Sequence, residues 1–356
     1  MPEIPETMKA IRMYEYGEPE VLKVETHPVP VPGDNQVLVK VVASSVSWWD
    51  YAYRNQLIKP IPGRGALPLP QQLGREASGD VVLVGKNVRD FSVGDKIVTM
   101  ACPACGQCPF CQQGFDNLCI RTELPAHTAF GSYAEYIVRD ANSIFHAPAH
   151  LGYEELACLI WSYGTVMHMI DGRAKLRTGE TVLITGASGG MGTAAIQLAK
   201  IAGAGKIIGL SSAVDKYDEL KEAGADVLLN YKDADILEQI KSHTAMKMGV
   251  DVVLDSVGGS MAALGIEALR MGGRAVLAAT MGGSTLEIDV LKLFVKNITI
   301  HGARASRRQD QETILKLAAA GKIKPIISHR FPMDQVVEAQ KLLEAGGHTG
   351  KIVLNM

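Results

Sequence analysis

Cys105, Cys108, Cys111 and Cys119 follow one another with two, two and seven residues between them. Thiolates this dense are ligands for a borderline-soft metal ion. Four sulfurs close a tetrahedral shell around one Zn²⁺ and leave no open position, so the expected metal is structural. Cys102 is surplus to that set. The alternatives are a disulfide knot or unpaired thiols, and disulfides are disfavoured in the cytosol.

A second constellation lies further along. Thr181–Thr185 reads as a buried strand and runs into Gly186-Ala187-Ser188-Gly189-Gly190-Met191-Gly192 and then a helical pattern. Strand, glycine turn and helix are the setting of a dinucleotide-binding loop. Gly189 lets the backbone approach a pyrophosphate, Gly192 lets the helix pack on the strand, and the helix N-terminus offers N–H groups to phosphate oxygens. The next strand, Lys206–Leu210, ends in Ser211 and Ser212, followed by Asp215 and Lys216. No acid stands at its tip to accept from ribose hydroxyls. Two hydroxyls and a cation suit a 2′-phosphate, so the expected cofactor is NADPH. Asp215 reads as a helix N-cap or first-turn acid. Tyr231, at the tip of the third strand, is a candidate for lining the adenosine.

The elements that carry these groups fall into two textures. The first 150 or so residues read as short strands broken by Gly, Pro and Asp turns, such as Gln36–Val42, Gly79–Gly85 and Lys96–Met100. After Tyr153, strand runs alternate with helical patterns: Thr181–Thr185, Lys206–Leu210, Asp226–Tyr231, Asp251–Val257, Arg274–Ala279 and Ile298–Gly302. That alternation predicts βαβ units and a parallel sheet. The final stretch holds one helical pattern, Met333–Ala345, and a closing strand, Lys351–Leu354. Length, 21% charged and 47% apolar residues and a net charge of −2 fit a two-domain soluble protein. They argue against nucleic-acid binding by bulk charge. The N-terminus lacks signal-peptide regions and no run reaches membrane-spanning length, so the expected location is cytoplasmic.

Taken together, the chain resembles the medium-chain dehydrogenase/reductase superfamily, which includes zinc alcohol dehydrogenases and quinone or enoyl reductases. The resemblance rests on Met8-Lys9-Ala10, Gly74-x-Glu76 followed by Gly79, Val93–Val98, the cysteine lobe, Gly131–Tyr136, the nucleotide loop and Gly350–Leu354. It implies an α/β protein: a Rossmann doubly wound parallel sheet plus a largely β, GroES-like catalytic domain with a zinc lobe. The implied boundaries are 1–160 for the catalytic domain, with the lobe at about 101–120, 161–302 for the NADP-binding domain, and 303–356 for a returning segment. Thr165 and Lys351 join the implied cofactor set, Lys351 at the pyrophosphate.

The resemblance also shows where this chain departs. The catalytic zinc of the alcohol dehydrogenases is held by positions that here correspond to Ser47, Arg75 and Trp161. A serine hydroxyl is a poor zinc ligand, and Arg and Trp are not ligands. The hydroxyl that begins the proton relay corresponds to Trp49, and Asp50 is retained. Trp48, Trp49 and Trp161 are all three tryptophans of the chain. By the resemblance they converge on the vacated metal site, either as filling or as the wall of an aromatic substrate pocket. Tyr51, Tyr53, Tyr163, Arg75 and Ser47 are candidate hydrogen-bond donors there, and Arg75 is expected to pair with Glu76 or Asp50. The expected reaction is NADPH-dependent reduction of a C=C bond activated by a carbonyl, in an enone, quinone or enoyl thioester. A metal-independent alcohol dehydrogenase or ketone reductase and a non-catalytic NADPH-binding protein are the alternatives. The expected assembly is a homodimer or homotetramer joined through the edge strand Asn297–Gly302.

Overall fold

In the computed structural model, which describes residues 4–57, 67–122 and 124–356, the chain forms two compact units. One comprises Met1–Trp161 and Arg307–Met356, the other Ser162–Ser306.

The first unit begins with a two-stranded ribbon, β1 (Thr7–Arg12) and β2 (Lys23–Pro28). It continues with β3 (Gln36–Val46), β4 (Ala77–Val84), β5 (Lys96–Thr99), β6 (Tyr136–Asp140) and β7 (Ile144–His146). β3 is the spine of the sheet, antiparallel to β4 on one side and, on the other, to β6 along its first half. Its alternating Val37, Val39 and Val41 are buried in a core with Val81, Ile97, Ile137 and Ile144. A short helix, Trp48–Arg54, follows β3 inside a stretch that reads as strands. Ser47 stands at its N-cap, and Asp50, three residues on, accepts from the Ser47 backbone N–H at 2.8 Å.

The second unit holds β8 (Thr181–Ile184), β9 (Lys206–Leu210), β10 (Val227–Leu229), β11 (Val250–Asp255), β12 (Leu269–Leu277) and β13 (Thr299–Gly302). All pair in parallel, in the order β10-β9-β8-β11-β12-β13. This is a doubly wound sheet whose strand order reverses between β8 and β11, where such folds bind nucleotides beyond the carboxyl ends of the strands. β12 starts at Leu269 instead of Arg274. Gly272, at φ +71°, lets the chain bend there, and the β11–β12 register shifts beside it.

The chain then adds β14 (Ile327–Pro332) and β15 (Lys351–Asn355) to the first sheet, in the order β14-β15-β3-β4-β5-β7. Two elements here escape the sequence reading. β14 carries Ser328, His329 and Arg330 and shows no apolar alternation. The helix Arg308–Ala319 opens on polar residues and buries one stripe through Ile314, Leu315 and Ala318. Among the described residues no helix is long and apolar enough to cross a membrane.

Candidate active site and cofactor loop

The four cysteine sulfurs of Cys105, Cys108, Cys111 and Cys119 all lie within 4.8 Å of one another. Among the described residues they are the one group of His, Cys, Asp and Glu side chains placed to hold a metal ion. Cys102 is outside it. Backbone N–H groups aim at the sulfurs: Cys108 N–H to Cys105 Sγ at 3.3 Å, and those of Cys105 and Arg121 to Cys119 Sγ at 3.4 Å. The backbone N–H groups of Cys111 and Ile120 hold the Cys108 thiol down at about 6. Burial and the neighbouring Cys108 push the Cys111 thiol the other way, up to about 12; it is the four sulfurs gathered this closely that fit one tetrahedral Zn²⁺ with no open position.

In the second unit, the loop after β8 enters the helix Gly190–Ile201 with Gly189 at its N-cap. A Cβ on Gly192 would lie 2.1 Å from the Gly186 carbonyl oxygen, so this glycine is required by the protein's own packing. A Cβ on Gly189 would meet nothing closer than 3.5 Å. Its bare backbone is therefore free to face a ligand. Ser188 Oγ accepts from Ser211 Oγ at 3.2 Å, and Ser212 Oγ donates to Tyr231 Oη at 3.2 Å. The tip of β9 is thereby tied to the glycine loop and to the tip of β10. Lys216 Nζ lies 3.3 Å from Asp215 Oδ2, in a turn of 3₁₀ helix. Met191 is half-buried in the first turn of the loop helix, and Thr165 is buried in the helix Ile160–Met167.

In the first unit, Trp48, Trp49 and Tyr53 project from the helix Trp48–Arg54, and Arg75 and Glu76 lie just before β4. Gly74, at φ +90°, makes that approach possible: a Cβ there would strike the Tyr133 ring at 2.5 Å. Its N–H donates to Asp50 Oδ1 at 2.9 Å. The other Asp50 oxygen accepts from Ser47 Oγ at 2.8 Å and Tyr133 Oη at 3.1 Å. Burial pushes the Asp50 carboxyl up, against the pull of these donors and of Arg75. Glu76 is equally occupied. Its Oε1 accepts from Ser45 Oγ at 2.6 Å and from Lys351 Nζ at 2.9 Å, and its Oε2 from the backbone N–H of Trp161 at 2.6 Å. Burial opposes the Lys351 charge, but Glu76 outweighs it and the ammonium is held above its ordinary value.

The expectation that Arg75 pairs with Glu76 or Asp50 is therefore corrected. Both acids are filled by other donors, and Arg75 donates instead to Tyr53 Oη at 2.6 Å. Its Cζ lies 4.7 Å from the Trp161 ring centroid, 5.3 Å from Tyr53 and 5.5 Å from Trp49. These are cation–π distances. Trp49 meets Trp161 edge-on at 6.1 Å and Trp48 at 6.0 Å. A guanidinium thus sits among aromatic faces, and the Ser47 hydroxyl is spent on Asp50. Ser47, Arg75 and Trp161 do not fit a zinc ion: one is committed elsewhere, one is a cation and one has no ligand atom.

Lys351 lies in this unit, buried against Glu76. Ser45, Tyr133 and His127, whose ring meets Tyr53 edge-on at 5.4 Å, are partners that sequence reasoning missed. Tyr133 lies within the Gly131–Tyr136 motif, and Ser45 stands two residues before Ser47. His127 left no local signal.

Two family models match the chain. One describes an alcohol dehydrogenase GroES-like domain, over residues 33–149, and one a zinc-binding dehydrogenase, over 190–320. The acryloyl-coenzyme A reductase of Sulfurisphaera tokodaii is 30% identical over 95% of this chain and 97% of its own. The quinone oxidoreductase of Homo sapiens is 28% identical over 98% of this chain and 97% of its own. A solved NAD-dependent alcohol dehydrogenase superposes with a TM-score of 0.91 at 32% identity, covering 98% of this chain and 100% of that one. With its nucleotide loop, cysteine lobe and sheet order, the chain is an oxidoreductase of the medium-chain dehydrogenase/reductase superfamily.

Proposed function

We propose that the protein reduces a C=C bond activated by a carbonyl, taking hydride from NADPH and using no zinc at the acceptor. The observation that carries this reading is the Arg75 guanidinium packed among Trp49, Tyr53 and Trp161, where the family resemblance puts a metal ligand. An isolated ketone is polarised poorly without a Lewis acid. A conjugated alkene passes its charge to an enolate oxygen, which hydrogen bonds and a fixed cation can stabilise. The names of two relatives, a quinone oxidoreductase and an acryloyl-coenzyme A reductase, support an acceptor of this kind.

When bound, the reduced nicotinamide supplies the hydride. The chain's own residues do the rest. Gly189 and the N-terminal turn of the helix Gly190–Ile201 receive the pyrophosphate. Trp49 and Trp161 offer flat apolar faces to a planar acceptor, and Arg75 supplies positive charge near its oxygen. The test is NADPH consumption with an enone beside its saturated ketone. The enone should turn over faster. Ready oxidation of secondary alcohols, with enones, quinones and enoyl thioesters untouched, would overturn the reading. Similarity to an NAD-dependent alcohol dehydrogenase favours a metal-independent ketone reductase as the second reading.

The preference for NADPH is supported by Ser211, Ser212 and Lys216 beyond β9, with no acid at the strand tip. Lys216→Ala should weaken NADPH about tenfold more than NADH, the scale of one charge-assisted bond. Equal use of both cofactors by the parent protein contradicts it.

A second copy is the proposed partner. Among the described residues β13 pairs with β12 alone, which leaves its other side an edge. Val290, Leu291, Phe294 and Val295 of the helix before it are exposed. Sedimentation at micromolar concentration should give a dimer or dimer of dimers; a monomer contradicts the assignment.

A further inference from the structure

Reduction of an activated alkene needs a donor at the carbonyl oxygen, and Tyr51, Tyr53 and Tyr163 are the candidates. Tyr163 lies in the nucleotide-binding unit, where its oxygen accepts from Gln197 Nε2 at 2.9 Å. Tyr51 is half-buried, its ring tilted against Trp48 at 6.3 Å. Tyr53 is different. It is 4% exposed, and its oxygen accepts from Arg75 Nη2 at 2.6 Å. A phenol that accepts from a guanidinium must turn its own proton away. Among the described residues nothing accepts that proton. Arg75, also 4% exposed, has no partner for its Nε among the described residues. Among the described residues, the Tyr53 hydroxyl proton and Arg75 Nε are thus both buried donors with no acceptor, while the neighbouring acids Asp50 and Glu76 are filled by other groups. Buried polar groups are rarely left in this state unless something else completes them.

We infer that Tyr53 is a catalytic residue that donates to the carbonyl oxygen of the acceptor, and that Arg75 is a positioning residue that orients and polarises it. The inference rests on the activated-alkene reading for its substrate class: an acceptor whose oxygen becomes negative during reaction. Hydride supplied by bound NADPH would form the new C–H bond at the β-carbon; the alkene π pair would become the bond between the α-carbon and the carbonyl carbon, and the carbonyl π pair would pass to the oxygen. That oxygen, now an enolate, accepts from Tyr53, which keeps its proton. Water would then protonate the α-carbon, leaving hydroxide, as the oxygen pair re-forms the carbonyl; the products are the saturated carbonyl compound, hydroxide and NADP⁺. Polarisation along Arg75–Tyr53–oxygen strengthens the last bond of the chain.

The groups facing Tyr53 are Arg75, Asp50, Cys102 and the rings of Trp49 and His127. Burial pushes its phenol up and Arg75 opposes that rise, so the proton is in place at neutral pH. Activity should fall on the basic side as the phenol ionises. Because Arg75 favours the phenolate, Arg75→Met should move that limb to higher pH.

The test compares Tyr53→Phe, Arg75→Met and Arg75→Lys with the parent. Tyr53→Phe and Arg75→Met should each lower kcat/KM about 100- to 1,000-fold, the scale of one lost oxyanion donor. NADPH affinity should stay within about twofold, because neither side chain belongs to the nucleotide loop. Arg75→Lys should recover part of the loss. Tyr53→Phe retaining a third or more of parental kcat/KM overturns the inference, as does a loss explained by weaker NADPH. A parent that prefers a saturated ketone defeats the alkene reading, and the same variant ratios on the ketone then judge Tyr53 separately. For a parent with no turnover the probe is 4-nitrophenolate, read by its own absorbance. The parent should bind this oxyanion about tenfold more tightly than either variant, the scale of one charge-assisted bond, and equal binding overturns the inference.

Discussion

Lys351→Met should lower the unfolding free energy of the first unit by about 3–5 kcal/mol, the cost of leaving one member of a buried ion pair alone. Lys351 Nζ and Glu76 Oε1 are 2.9 Å apart, with side chains 5% and 1% exposed. Ser45 and the Trp161 N–H remain on the carboxylate after the change, but neither carries charge. Adding Glu76→Gln should recover much of the loss by removing the stranded anion. All three tryptophans lie in this unit, so denaturant titration followed by tryptophan fluorescence reports it directly. A shift below about 1 kcal/mol, the worth of an exposed pair, contradicts the assignment.

Cys108→Ser should abolish zinc binding and unfold the cysteine lobe while both sheets survive. Structural zinc in such sites contributes on the order of 10–16 kcal/mol of apparent binding energy, far more than the lobe's own packing. Within Cys105–Cys119 the structure has only a four-residue helix, Pro109–Gln112, and a three-residue 3₁₀ turn, Asp116–Leu118. Phe110 and Phe115 are exposed and add little core. The expected readouts are no bound zinc by elemental analysis, proteolytic cleavage between residues 105 and 119, and unchanged far-ultraviolet sheet signal. Retained zinc in the variant contradicts the four-cysteine assignment.

The fold was legible wherever chemistry or periodicity is local. The cysteine spacing and the Gly186–Gly192 loop each announce themselves within a few residues. Buried parallel strands such as Ile207–Leu210 read as continuous apolar runs. β14 did not, because Ser328-His329-Arg330 hides the strand pattern and its pairing with β15 supplies the order. The helix Trp48–Arg54 was hidden by its aromatic residues, which favour strands, although Ser47 and Asp50 spell its cap. At the candidate site the residue types were readable, but their partners were not. Arg75 stands beside Glu76 in sequence and donates to Tyr53, 22 residues away. What decides this is competition: Ser45, Lys351 and Trp161 reach Glu76, while Ser47, Gly74 and Tyr133 take Asp50. Long-range competition of this kind leaves no trace in spacing.

The central claim is that a fixed cation and hydrogen bonds take the place of a metal at the acceptor. Its most direct test measures zinc content and enone reduction on one purified sample, before and after treatment with a strong chelator. The account predicts one zinc per chain, held by Cys105, Cys108, Cys111 and Cys119, and NADPH-dependent enone reduction that persists for as long as the fold does. Two zincs per chain, with activity lost on chelation while the fold remains intact, would contradict it.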